Sequence, residues 1–167
     1  MLSKTDIEKY FNAEKAESLL FMAIGAAAVA AAIVFLFVLN LNFYRGAAIP
    51  MILVGLILSA VGYTVYKRSD NDRIRNVYAL DMNPSELKNK ELPRMKTVMK
   101  NFAIYRRTEI CLLLLGAGLY GYFIRDFKYD FWRGFGLALA VMALLAVTAD
   151  YFAERRGRIY TRGLEEL

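Results

Sequence analysis

Long blocks without a charged side chain alternate with charged connections along this chain, and the blocks set its layout. From Ser18 to Tyr44 there is no Asp, Glu, Lys or Arg, a run of roughly 27 residues where a spanning helix needs about 20. A second such block, Gly46 to Tyr66, holds roughly 21 residues, and soluble core helices seldom stay uncharged over that length. Two further blocks, Ile110 to Ile124 and Gly134 to Ala149, are shorter. At about 1.5 Å per residue they cover roughly 22 to 24 Å of a hydrocarbon layer about 30 Å thick. Extending them to full span length brings in Tyr105 to Glu109 and Asp150 to Ala153, so charges sit at the rim of both helices. The pattern predicts an all-α integral membrane protein. Four transmembrane helices form an up-down bundle within a 19–153 membrane domain, with spans over about 19–41, 47–66, 105–124 and 133–153.

Between spans two and three lies the only sizeable polar part, 67–104, expected to be a helical cytoplasmic insertion. Span two should run past the membrane and break near Asp81-Met82-Asn83. Asn83 then caps, Pro84 takes the first helical position and Glu86 the third. From Pro93 nothing breaks the helix until Ile124, about 32 residues or roughly 48 Å, so span three projects several turns beyond the bilayer. In the 1–18 segment, Thr5 and Glu8 form a capping box before Ile7, Tyr10 and Phe11. That spacing predicts a short amphipathic helix lying on the membrane surface. Pro50 is expected in the first turn of span two, and 154–167 as a cytoplasmic tail.

Charge supplies the orientation. The chain is 57% hydrophobic and carries 22 Lys and Arg against 16 Asp and Glu, a net charge of +6. Only Arg45, Arg125, Lys128 and Arg133 fall on the two short connections; the other basic residues lie in the N-terminal segment, the long connection and the tail. The positive-inside rule then puts both termini in the cytoplasm, and a bacterial inner membrane is the expected location. The first apolar block is far longer than the core of a cleavable signal, so it is expected to remain as a span.

Chemistry is constrained by what is missing. There is no histidine and one cysteine, Cys111, which removes imidazole bases, nearly every zinc site and an intrachain disulfide. No catalytic residue, cofactor or metal is expected. Gly116, Gly118 and Gly121 have the spacing G-x-G-x-x-G, but they lie inside an apolar helix and not at a strand-to-helix turn. They read instead as positions where helices pack closely, Ala117 and Gly121 at small-xxx-small spacing. Gly55 and Ser59 on span two, and Gly136 and Ala140 on span four, read the same way.

Glu109 and Asp150 reach similar depths on spans three and four. Gly136, Ala140, Ala143, Val147 and Asp150 share one helical face; Glu109, Leu113, Gly116 and Tyr120 share another. The two faces are expected to pack together, with Arg106, Arg107 or Arg155 compensating the acids. Ionisable groups inside spans are functional candidates by default, but a group near the interface reaches water, which favours a structural ion pair here. In the projection of span three, Met95, Val98, Met99, Phe102 and Tyr105 form a stripe flanked by basic residues. Such a helix can meet anionic lipid over 94–107, a partner helix or the protein's own neighbour, and packing on the extended span two is expected. Topology accounts for the basic bias, so no nucleic-acid partner is expected. On the opposite side Arg125, Asp126, Phe127, Tyr129, Trp132 and Arg133 make an aromatic and charged belt denser than anchoring requires, a candidate periplasmic recognition surface.

These features point to a protein that works by interaction, with the lipid bilayer as its solvent and another membrane protein or its own copy as partner. In size and layout the chain is similar to the four-span immunity proteins that protect bacteria from pore-forming colicins, which implies an immunity-type or accessory role. The alternative is a homo-oligomeric small transporter or channel. Small multidrug transporters also have four spans, but they use an acid deep in the first, and none is present here. A third reading is a lipid-active enzyme using Glu109 and Asp150.

Overall fold

Helical hydrogen bonding inside each segment is what an apolar chain in lipid requires, and four long helices carry most of this chain. The computed structural model describes residues 2–167. Its helices are α1 (Lys4–Val34), α2 (Asn42–Met82), the single turn α3 (Pro84–Glu86), α4 (Leu92–Phe123) and α5 (Asp130–Glu165). Wide turns of π type, Phe35–Leu39 and Leu87–Glu91, end α1 and lead into α4, and there is no strand among the described residues. Three helical stretches, Lys4–Leu39, Asn42–Met82 and Phe127–Glu165, are long and apolar enough to cross a membrane. The apolar part of α4 is shorter, because Arg106, Arg107 and Glu109 precede it.

The start of α1 corrects the expected cap. Ser3, not Thr5, is the N-cap: its hydroxyl accepts from the Asp6 amide at 3.2 Å, and the Asp6 carboxylate accepts from the Ser3 amide at 3.0 Å. It is the same box, two residues upstream. Nor does this segment lie on a surface. With no Gly or Pro before Gly25, α1 continues unbroken to Val34, and Ile7, Tyr10 and Phe11 are buried in protein. Pro50 is likewise displaced from a first turn, because α2 begins at Asn42 and Pro50 lies in its interior. The carbonyl it leaves without a donor is that of Gly46.

The long helices are joined at glycine crossings. α1 packs along α2 and α4 along α5, α2 and α5 join the two pairs, and α1 and α4 flank them without packing along each other. At the first crossing a Cβ on Gly55 would lie 2.8 Å from the Gly25 carbonyl oxygen. At the second, Gly46 rests on the backbone of Phe131 and Gly134 on that of Phe43. At the third, a Cβ on Gly116 would lie 2.6 Å from the Ala140 amide nitrogen. Backbones can approach this closely only where side chains are absent.

Beyond the apolar segments all four long helices continue into a head. Its core joins Leu2, Ile7, Tyr10 and Phe11 to Ala79 of α2, Leu87, Met95 of α4, and Tyr160 and Leu164 of α5. Ile7, Phe11, Leu87, Met95 and Leu164 are fully buried, each contributing about 1.5–3 kcal/mol. That burial explains two departures from expectation. The supposed tail is the final turns of α5, with Tyr160 and Leu164 facing inward. The methionine stripe of α4 packs on α5, with Met95 also meeting Tyr10 of α1, and not on the extended α2, because Gly157 leaves space for it: a Cβ there would lie 2.5 Å from Met99 Cε.

Candidate functional site

Where the head meets the apolar segments, the registers of α4 and α5 bring acids together. The Gly116–Ala140 crossing sets the two helices in phase, and toward the head, about two turns along α4 and nearly three along α5, the carboxyl groups of Glu109 and Asp150 come within hydrogen-bonding reach of each other. One carboxyl oxygen of Glu109 is buried without a hydrogen-bond partner. The three arginines expected to compensate this pair do not do so. Arg106 Nη1 donates instead to Glu154 Oε2 at 2.5 Å, while Arg107 and Arg155 are exposed. Glu154 is one helical turn beyond Asp150, so it takes the arginine before the pair can.

Glu154 is the group that sequence reasoning missed. It is only 6% exposed and also receives Arg158, one turn further along α5. Burial alone would raise its pKa, but the hydrogen bond and charge of Arg158, with those of Arg106, hold it below the usual glutamate range. A second missed link crosses from α5 to α1, where Arg156 donates to Glu17. With Lys15 and Asp70 paired at 2.5 Å between α1 and α2, ion pairs tie the helices together at this level. The signal available in the sequence was the i, i+4 spacing of Glu154 and Arg158.

A further polar cluster lies within the head. Glu91 is 3% exposed and is held by Arg94 through two hydrogen bonds, at 2.8 and 2.5 Å. Glu14 accepts from the Ser69 hydroxyl at 3.2 Å and lies 3.6 Å from Arg68. Burial outweighs these partners and holds Glu14 above the ordinary carboxylate range. The Tyr10 hydroxyl sits 3.5 Å from Glu14 and 3.7 Å from the Met95 sulfur, and burial pushes its pKa up.

The glycines expected to pack divide into two sets. Gly55, Ser59, Gly116, Gly136 and Ala140 all lie at helix crossings. Ala117 is exposed, and nothing lies within 4 Å of a Cβ built on Gly118 or Gly121. The small-xxx-small pair Ala117 and Gly121 therefore packs on nothing within the chain, because the α5-facing side of α4 runs through Glu109, Leu113, Gly116 and Tyr120. At the opposite end of the molecule Arg125, Asp126, Phe127, Tyr129 and Trp132 are exposed. Arg133 is drawn inward, paired with Asp130 at 2.5 Å and stacked 4.6 Å from the Phe127 ring centre. Asp126 accepts from the Lys128 amide at 3.0 Å and so closes the turn between α4 and α5. No group of three or more Cys, Asp or Glu that could hold a metal occurs among the described residues.

No protein-family model matches this chain, and comparison with curated proteins and with solved structures gives no match.

Proposed function

We propose that this chain is a four-span membrane protein, both termini and the head in the cytoplasm, that acts by binding another membrane protein or a second copy of itself through α4. One observation carries the reading. Of the 11 glycines, nine meet a neighbour within 4 Å, and the two that do not, Gly118 and Gly121, both lie on the outward side of α4. In its apolar part this helix rests on α5 alone, and Leu114 and Leu115 beside those glycines are exposed. A helix of marginal apolar length with a smooth uncovered face suits a partner helix, which would bring van der Waals contact that lipid cannot match. The basic bias of the head side supports the cytoplasmic orientation, and the likeness in layout to four-span immunity proteins suggests an inner-membrane immunity or accessory role.

The test is association in mild detergent and in bilayers, read by mass and by cross-linking. Gly118→Leu and Gly121→Leu should abolish the homo-oligomer or the co-purifying partner while leaving the helical content and thermal unfolding of the chain unchanged. Retained association in both variants would refute the interface. A second reading, a homo-oligomeric transporter or channel, draws on the Glu109–Asp150 pair, an acid couple at the membrane rim without an arginine partner. Ion flux through the reconstituted oligomer, abolished by Asp150→Asn, would select it over a binding role.

A further inference from the structure

α2 and α5 touch at one end of their apolar segments and then part. Gly46 rests on the backbone of Phe131 and Gly134 on that of Phe43. Thr64 follows Gly46 by 18 residues, and Phe152 follows Gly134 by 18, which is five helical turns, so each returns to the line of its glycine. Neither is covered: Thr64 is exposed, and Phe152 is 51% exposed. Further on, both helices enter the head core, through Ala79 and Tyr160. Between the two contacts a shallow groove of about 270 Å³ runs along α2, lined by Ala60, Val61, Thr64, Val65 and Arg68. Its wall is apolar as far as Arg68, since the Thr64 hydroxyl is turned back to the Ala60 carbonyl at 2.8 Å.

Depth fixes the order of these groups. The uncharged stretch Gly46 to Tyr66 is roughly 31 Å long, one hydrocarbon layer. Ala60 to Val65 therefore lie roughly 1.5–9 Å inside its head-side edge, and Arg68 stands roughly 3 Å outside, in a headgroup layer about 5–8 Å deep. A helical side chain leans toward the N-terminus of its own helix. For α2 that direction runs from the head toward the bilayer, which brings Arg68 into the same groove as Ala60, about two turns before it. The guanidinium is free to bind: Nη2 stands 3.6 Å from Glu14 Oε1, Nε has no hydrogen-bond partner, and the side chain is 42% exposed. Lys67, at the same level, is exposed and makes no ion pair among the described residues.

We propose that this groove seats an anionic phospholipid of the leaflet next to the head, with one acyl chain along Ala60, Val61 and Val65 and the phosphate on Arg68. The inference rests on the four-span reading above. Apolar wall and cation follow one another along α2 in the order in which a phospholipid carries its tails and its phosphate. Arg68 supplies forked donors for phosphate oxygens, and Lys67 adds a second charge at headgroup depth. A free phosphate would use the cation and not the apolar wall, and a partner helix in the same place would have to bring its own acid to Arg68.

The experiment is native mass spectrometry of the full chain released from nanodiscs of phosphatidylcholine mixed with phosphatidylglycerol. The unaltered protein should retain phosphatidylglycerol about tenfold over phosphatidylcholine, since each basic contact at a membrane surface is worth about fivefold and Glu14 offsets part of this. Arg68→Gln should lower that preference about fivefold, and Arg68→Gln with Lys67→Gln should erase it. Ala60→Trp fills the groove without altering charge and should also remove the retained lipid. Lys88→Gln, which removes an exposed head cation away from the groove, should leave it in place. Absence of a preference in the unaltered protein, its survival in Ala60→Trp, equal loss in Lys88→Gln, full displacement of the lipid by inorganic phosphate, or a second protein chain retained in its place would each overturn the proposal. Failure of the four-span reading has its own signature: Leu56→Cys, midway along span two, would be labelled in bilayers by a charged maleimide in a Cys111→Ser background. Protection of that cysteine with no lipid preference would mean that the spans stand and only the lipid site falls.

Discussion

Tyr10, near the start of α1, and Tyr160, near the end of α5, stack with ring centroids 4.3 Å apart and planes 12° from parallel. Phe11 meets the Tyr160 ring edge-on at 5.7 Å. The two ends of the chain are therefore joined in one aromatic core, and the head is a continuation of the bundle. Phe11→Ala should cost about 3–5 kcal/mol, as for other buried rings truncated to alanine. Faster hydrogen exchange should follow in 4–17 and 155–165, with the apolar segments unaffected. Unchanged exchange in those stretches would show that the head does not depend on this core.

Gly134 touches the Phe43 backbone, whereas Gly118 touches nothing. Gly134→Ala should therefore destabilise the α2–α5 crossing by about 1–3 kcal/mol through overpacking. Gly118→Ala should leave stability unchanged or raise it by up to about 1 kcal/mol. Thermal unfolding of both variants in detergent decides the matter; equal effects would mean that the crossing is not a close backbone contact.

The amino-acid pattern carried much of this. Helix periodicity located the breaks at Met82 and Phe123 within a residue or so, and Pro84 and Pro93 fall in first turns because a missing amide donor costs least there. The faces through Gly116 and through Gly136 and Ala140 were legible because small residues recur at helical spacing. What the pattern could not carry was the partner of each face. Ile7, Tyr10 and Phe11 have the same amphipathic spacing whether they meet lipid or protein, and nothing local to Tyr160 and Leu164 marks them as covered by α1. Ala117 and Gly121 also satisfy a packing motif, but the motif does not say whether the neighbour belongs to the same chain. The arginine pairing failed for a similar reason: Glu154 competes for Arg106 at one turn's distance, a choice set by three-dimensional register.

Glu14 supplies a pH dependence with a definite sign. Burial, opposed by Arg68, Arg94 and Ser69, holds its folded pKa above the ordinary value of 4.5. Its contribution to stability is therefore complete below the unfolded value and is lost as pH rises through the raised folded value. Glu14→Gln keeps the neutral form at every pH. It should unfold a few degrees higher than the unaltered protein at pH 7 and at the same temperature at pH 4, where both are neutral. A lower melting temperature at pH 7 would mean that the Arg68 contact outweighs burial.

Glu109 and Asp150 allow stability and activity to be separated. Glu109→Gln places an amide donor opposite the Asp150 carboxyl group, so the α4–α5 pair should become more stable, by about 1 kcal/mol. The same change at Glu86 or Glu165, each paired with a lysine near water, should alter stability by less than about 0.5 kcal/mol. If partner binding or flux falls in Glu109→Gln while stability rises, the pair has a working role; loss of stability would show instead that the acids hold the helices together.

The central claim is that α4, whose uncharged stretch is the shortest of the four, crosses the bilayer with the other three. Single cysteines at Ser85 and Lys128, in a Cys111→Ser background, bracket it and can be labelled from one side of sealed native membranes with a charged maleimide. The account predicts that Ser85→Cys reacts only from the cytoplasmic side and Lys128→Cys only from the opposite side. Labelling of both positions from the same side would contradict it.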